Sequence, residues 1–101
     1  MDQEFEDTLT IELETAVSNL NGSESWQSIP LREPIFAEVS DFYKESRKTN
    51  EADAMATLIS VVSGVDLMAI KKLPIRKYRE AQAYLLGFLN YFPTLENGKT
   101  E

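Results

Sequence analysis

The spacing of apolar residues changes along the chain, and each change marks an element. From Thr8 to Glu14 the order Thr-Leu-Thr-Ile-Glu-Leu-Glu alternates strictly, as in a strand buried on one face. Leu9, Ile11 and Leu13 are expected inward, and Thr8, Thr10, Glu12 and Glu14 outward. A second extended stretch, Ser25 to Leu31, puts Gln27, Ile29 and Leu31 on one face and Trp26, Ser28 and Pro30 on the other. Asn21-Gly22 between them is a hairpin-turn signal. A plain two-residue turn there would set Glu14 opposite Ile29, placing a charge where the core should be. The pattern therefore requires a bulge or a loop of odd length within residues 15–24. Pro30 lacks a backbone N–H and confines the second strand to an edge.

Beyond Arg32-Glu33-Pro34 the period becomes helical. Pro34 suits a first helical turn, and Ile35, Val39, Phe42, Tyr43 and Ser46 follow one stripe, with Asp41 and Glu45 opposite. Asn50 reads as a cap with Glu51 and Asp53 in the turn it opens. Met55, Leu58, Ile59 and Val62 form the next stripe, flanked by Ala52, Ala56 and Val61, and Gly64 fits a left-handed stop. Asp66 can cap a short helix that turns Leu67, Met68 and Ile70 inward. After Leu73-Pro74, Tyr78, Ala81, Leu85, Phe88, Leu89 and Phe92 recur at spacings of three and four, widened by Tyr84, Leu86 and Tyr91. A helix apolar over so much of its circumference must be covered by other elements or by a partner. Pro93 is expected to stop it.

These readings give an α+β fold, an N-terminal β-hairpin packed on a small bundle of three to four α-helices. The hairpin is expected over 8–31 and helices over about 34–46, 51–63, 67–72 and 75–92, within a single domain, 8–93. The acidic residues 1–7 and the polar residues 94–101 are expected to be disordered.

Composition narrows the chemistry. The 101 residues carry 17 acids against 10 bases, a formal charge of −7, with no cysteine and no histidine. That removes disulfides, thiolate catalysis, the usual acid/base group at neutral pH and the common zinc ligands. An acidic surface disfavours nucleic acid, and no apolar run is long enough to span a membrane. Glu12 and Glu14 share one strand face, but a catalytic pair needs a pocket that raises one pKa. There is no calcium-loop spacing and no glycine-rich phosphate cradle. No metal, no cofactor and no enzyme activity are expected.

Two features invite a partner instead. Lys71, Lys72, Arg76, Lys77 and Arg79 put five of the ten basic residues within nine positions. They make either a solvated face or a dock for an acidic surface, which a neighbouring copy's N-terminus could provide. Trp26, turned away from the hairpin's inner face, either packs at a helix edge or is an exposed hot spot. Tyr84 and Tyr91 either extend the core or face a client, with Val61 or Met68 nearby. Self-association is compatible with the broad apolar surface of the last helix and with the separation of acidic and basic segments.

Four strings resemble a known family in order and spacing. They are Thr8-Leu9-Thr10-Ile11-Glu12-Leu13, Ile29-Pro30-Leu31-Arg32-Glu33-Pro34, Leu58 to Val65, and Leu73-Pro74 followed by a helix closing in Gly87-Phe88-Leu89. Together they are similar to the small tail assembly chaperones of tailed bacteriophages, in the subset linked to contractile-tailed and Mu-like phages. Arg76-Lys77 depart from that likeness, since an acid would be expected soon after Leu73-Pro74. The resemblance implies a protein of the bacterial host cytoplasm, absent from the finished virion. It would bind the tape measure protein, keep it soluble and help recruit tail tube subunits, and would often also be made in a frameshifted, C-terminally extended form. The residues alone leave a second reading open, an acidic inhibitor or antitoxin-like module acting through Glu12, Glu14, Glu33, Glu38, Asp41 and Glu45.

Overall fold

The computed structural model describes residues 8–89. Six elements follow in the order β1 (Thr8–Ser18), β2 (Ser25–Arg32), α1 (Phe36–Lys48), α2 (Glu51–Ser63), α3 (Leu67–Ile70) and α4 (Ile75–Leu89). The expected α+β layout is the observed one: an antiparallel hairpin, then four helices. The expectations for residues 1–7, for Tyr91, Phe92 and Pro93, and for residues 94–101 lie outside the described residues.

The register conflict in the hairpin is resolved inside β1. Near the turn Ser18 pairs with Ser25 and Val17 with Trp26, the register that a turn centred on Asn21-Gly22 would set. Towards the open end Glu12 pairs with Ser28 and Ile11 with Ile29. Between these pairs β1 advances from 12 to 17 while β2 moves only from 28 to 26, so three extra residues sit in β1. An odd insertion exchanges the two faces of the strand. Ile29 therefore meets Ile11 rather than Glu14. The irregularity begins at residue 13, two residues before the expected window. Its freed carbonyls find a side-chain donor, because Gln27 Nε2 donates to Leu13 O at 2.9 Å and to Glu14 O at 3.4 Å. Gln27 has the inward parity yet is exposed, and it serves the bulge instead of the core.

The turn is wider than a two-residue one. Gly22 N–H donates to Asn19 O at 3.2 Å and Asn19 N–H to Glu24 O at 3.1 Å. The Asn19 side chain closes the loop by accepting from Glu24 N–H at 3.1 Å, and Gly22 takes a φ of 77°, which only glycine adopts without cost. A sheet of two strands leaves each strand one open edge, so the missing N–H of Pro30 is tolerated.

Helix limits follow the caps. Asn50 Oδ1 accepts from Asp53 N–H at 2.8 Å and opens α2, and Gly64, with a φ of 77°, ends it. Asp66 Oδ2 accepts from Met68 N–H at 2.9 Å and opens α3. The helix expected from Pro34 instead begins at Phe36. Ile35 is its extended N-cap and offers no side-chain acceptor, but Glu38 Oε1 accepts from Ile35 N–H at 3.0 Å, the returning half of a capping box. Standing outside the helix, Ile35 leaves the expected stripe and is 61% exposed. Pro74 O accepts from Lys77 and Tyr78 N–H, so α4 starts directly after the proline. The link between α2 and α3 is held by Ser60 Oγ donating to Val65 O at 2.6 Å.

α2 lies at the centre, touching β2, α1, α3 and α4. Met55, Leu58, Ile59 and Val62 are buried as the stripe required, together with Ile11, Leu13, Ile29 and Leu31 from the hairpin. Val39 and Phe42 close the core from α1, Ala69 and Ile70 from α3, and Ala81, Leu85 and Leu89 from α4. Each fully buried aliphatic side chain contributes about 1.5–3 kcal/mol. Besides Gln27 and Ile35, two more inward expectations fail. Leu9, at the open end of the hairpin, is 36% exposed, and Met68 is 39% exposed because the single turn of α3 aims Ala69 and Ile70 at the core instead.

Candidate docking surfaces

The basic run does not form one patch. Leu73-Pro74 breaks the chain direction within it, and its members go three ways. Lys72 Nζ folds back to the hairpin turn, donating to Asn19 O at 3.3 Å and lying 3.5 Å from Ser18 Oγ. Arg76 and Lys77, with Pro74, wall a small cavity of about 110 Å³ against the bulge residues Leu13, Glu14 and Thr15. Lys77 also pairs with Glu80 at 3.7 Å, one turn along α4. That pair offsets part of the cost of placing two cations at a helix N-terminus, the end that favours anions. Lys71 stands at the rim of a larger groove, and Arg79 is exposed.

That larger groove, about 380 Å³, lies between the first turns of α2 and the α3–α4 corner. Its floor is Ala52, Ala56, Ile70, Leu73, Ile75 and Tyr78, with Asp53 and Lys71 at the edges. Ile75 is 65% exposed. The Tyr78 hydroxyl is buried without a hydrogen-bond partner. Burial pushes its pKa above the ordinary tyrosine value, helped by the negative charge of Glu51, so the phenol stays neutral.

A second groove opens on the other side of α2, between α1 and α2, with a volume of about 110 Å³. Antiparallel packing sets two rows along it. α1 gives Glu38, Asp41, Phe42 and Glu45, and α2 gives Ala54, Thr57, Leu58 and Val61. The floor is apolar and the α1 rim is acidic. Like charges three and four positions apart cost an isolated helix about 0.2–0.5 kcal/mol per pair, yet α1 keeps three acids in one row. Only Glu38 is neutralised: Arg32 grips it with both guanidinium nitrogens, Nη1 to Oε1 at 2.9 Å and Nη2 to Oε2 at 2.7 Å. These bonds hold the Glu38 carboxyl below the usual glutamate range and raise the Arg32 pKa. Among the described residues no ion pair involves Asp41 or Glu45.

The other residues singled out from the sequence fall as follows. Alternation turned Trp26 outward, yet it is half-buried against the core, opposite the buried Val17. Tyr84 is half-buried against the core and meets Phe88 edge to face, with centroids 5.1 Å apart and planes at 80°. Val61, 48% exposed, lines the α1–α2 groove, whose walls include neither Tyr84 nor Met68. Tyr91 lies outside the described residues. Glu12, Glu14 and Glu33 are exposed. The α1–α2 groove itself was not anticipated. Its signal was present, as acids at 38, 41 and 45 bracketing Phe42 opposite an apolar row at 54, 58 and 61.

Among the described residues no cluster of three or more acidic, histidine or cysteine side chains could hold a metal, and no helix is long and apolar enough to cross a membrane. The class of protein this describes is a small α+β module whose openings are apolar grooves with charged rims. The model of one family, phage tail assembly chaperone proteins (E, or 41 or 14), matches residues 10–90. The chain belongs to that family and is a phage tail assembly chaperone. Neither the curated proteins nor the solved structures yielded a match.

Proposed function

We propose that this chaperone binds the tape measure protein, keeps it soluble before and during tail polymerisation, and helps recruit tail tube subunits. One observation supports this reading on the molecule itself. α4 commits Ala81, Leu85 and Leu89 to the core but leaves Tyr84 and Phe88 half-buried on its flank, with Leu86 36% exposed. A long client built from amphipathic helices offers matching apolar stripes, and aromatic side chains supply much contact area at low entropic cost. The acidic surface, −7 over the chain, keeps such a complex in solution. This work belongs in the host cytoplasm during assembly and ends before the virion is complete.

The client surface includes Tyr84 of α4 and Tyr91, which lies outside the described residues. The double substitution Tyr84→Ala/Tyr91→Ala should cut copurification of a co-expressed tape measure protein by about tenfold or more, since each aromatic anchor is worth about 1 kcal/mol or above. Circular dichroism should show the fold retained. Undiminished copurification by a folded double variant would remove α4 as the client surface.

A further inference from the structure

The groove between α1 and α2 is asymmetric, and the asymmetry describes what fits it. Its α2 wall, Ala54, Thr57, Leu58 and Val61, carries no charge, and Val61 is 48% exposed. Its α1 wall sets Glu38, Asp41 and Glu45 around Phe42. Arg32 neutralises Glu38 through two hydrogen bonds, whereas Asp41 and Glu45 enter no ion pair among the described residues. The negative charge of the rim is therefore concentrated at those two, four residues apart and about 6 Å along the helix axis. Size narrows the occupant. At about 110 Å³ the groove is well below the ~300–1,000 Å³ of a small-molecule pocket, and it has room for one aliphatic side chain. Its lining runs over residues 38–45 of α1 and 54–61 of α2, two turns of each or about 10 Å, the footprint of a third helix laid along the pair. Unpaired carboxylates repel phosphates, and among the described residues no cluster of three or more acidic, histidine or cysteine side chains could hold a metal. A peptide is the ligand class that fits.

We propose that this groove is a second docking site, and that its occupant is a helix of a partner protein with an apolar stripe edged by Lys or Arg one turn apart. The stripe lays one aliphatic side chain over Phe42, Leu58 and Val61, and the two cations meet Asp41 and Glu45. Helix-in-groove recognition of this kind takes adhesion from the apolar face. Charge complementarity selects the occupant, because a neutral stripe would shield two carboxylates from water without pairing them and an acidic one would be repelled. Asp41 and Glu45 thus determine specificity, while the floor supplies the hold. The groove shares no residue with the surface that includes Tyr84 and Tyr91, so this inference goes beyond the tape measure reading and stands or falls separately from it.

The test is fluorescence anisotropy of the full chain with two fluorescein-labelled synthetic peptides, each of about 18 residues so that a helix can form. One carries leucines at spacings of three and four with lysines elsewhere, and the other has glutamate at every lysine position. The wild type should bind the leucine–lysine peptide. D41K/E45K should bind it about tenfold more weakly and should gain affinity for the leucine–glutamate peptide, because the charges that face each other are exchanged. E12K/E24K changes the net charge equally at two exposed positions of the hairpin and should keep the wild-type preference and affinity within about twofold. Val61→Ser, which removes apolar floor without changing charge, should weaken binding about threefold. Tyr84→Ala/Tyr91→Ala should bind the leucine–lysine peptide as the wild type does. Circular dichroism checks each fold, and D41N/E45Q gives a milder version should the reversal unfold α1. A wild type that does not bind the leucine–lysine peptide overturns the proposal. So does a hairpin variant that loses as much affinity as the groove variant, which would reduce the effect to general charge attraction, or a loss confined to the Tyr84 and Tyr91 variant, which would place the peptide elsewhere.

Discussion

The two sides of α2 have similar floors and different rims. Towards α1 the floor is Phe42, Ala54, Leu58 and Val61, and the rim is acidic. Towards the α3–α4 corner the floor is Ala52, Ala56, Ile70, Leu73 and Ile75, and the edge is mixed, with Asp53 and Lys71. An apolar floor supplies adhesion to almost any apolar side chain, because burial is non-directional. The rim chooses among partners, because opposed charges steer and like charges exclude. A chaperone needs both, a surface that holds reversibly and a means of sorting what it holds. The sides also differ inside. The acidic side is held by a bidentate pair, Arg32 on Glu38, which also ties the end of β2 to the start of α1. The corner side carries an unspent hydroxyl, Tyr78.

The comparison rests on α2 as common support, so the largest effect should come from beneath both grooves. Ile59 is fully buried, and Ile59→Ala should cost about 2–5 kcal/mol, read as a lower urea midpoint and a loss of both surfaces together. An unchanged midpoint would show that α2 is not the common support of the two sides.

A smaller change should touch the acidic side alone. Glu38→Gln should cost about 0.5–1 kcal/mol, a modest figure because the Arg32 side chain is 43% exposed and screened. The pH dependence fixes the sign. The folded-state pKa of Glu38 is lowered from the ordinary 4.5. Its stabilisation is therefore present above pH 4.5 and is lost as pH falls through the lower folded value. Thermal melts of the wild type should show that fall, and melts of the variant should show less of it. Equal slopes would mean that the pair adds nothing to the α1 entry.

The smallest effect should have the opposite sign. Tyr78→Phe removes a buried hydroxyl without a partner and should leave stability unchanged or raise it by up to about 1 kcal/mol. A clear loss would reveal a hydrogen bond at that hydroxyl and would make the corner side as polar inside as the acidic one.

Local patterns carried most of the fold. Helix α2 was legible from end to end, since Asn50, Gly64 and the stripe of Met55, Leu58, Ile59 and Val62 all speak for the same element. So was the need for an odd insertion in the hairpin, because alternation and the Asn21-Gly22 turn could not both hold. The sites were less legible. The basic run from Lys71 to Arg79 is one cluster in sequence and three locations in space, divided by the break at Leu73-Pro74. The acidic groove was missed because Asp41 and Glu45 look like an ordinary solvated face until α2 is laid beside them.

The sequence by itself determined the period, caps and stops of the elements, because these depend on neighbours within one or two turns of backbone. It also determined the family, whose model matches residues 10–90. Only the tertiary structure decided where the bulge falls, which way Trp26 turns and which helices enclose a groove. Those outcomes rest on residues far apart in the chain meeting across α2, and no local spacing encodes which of them will meet.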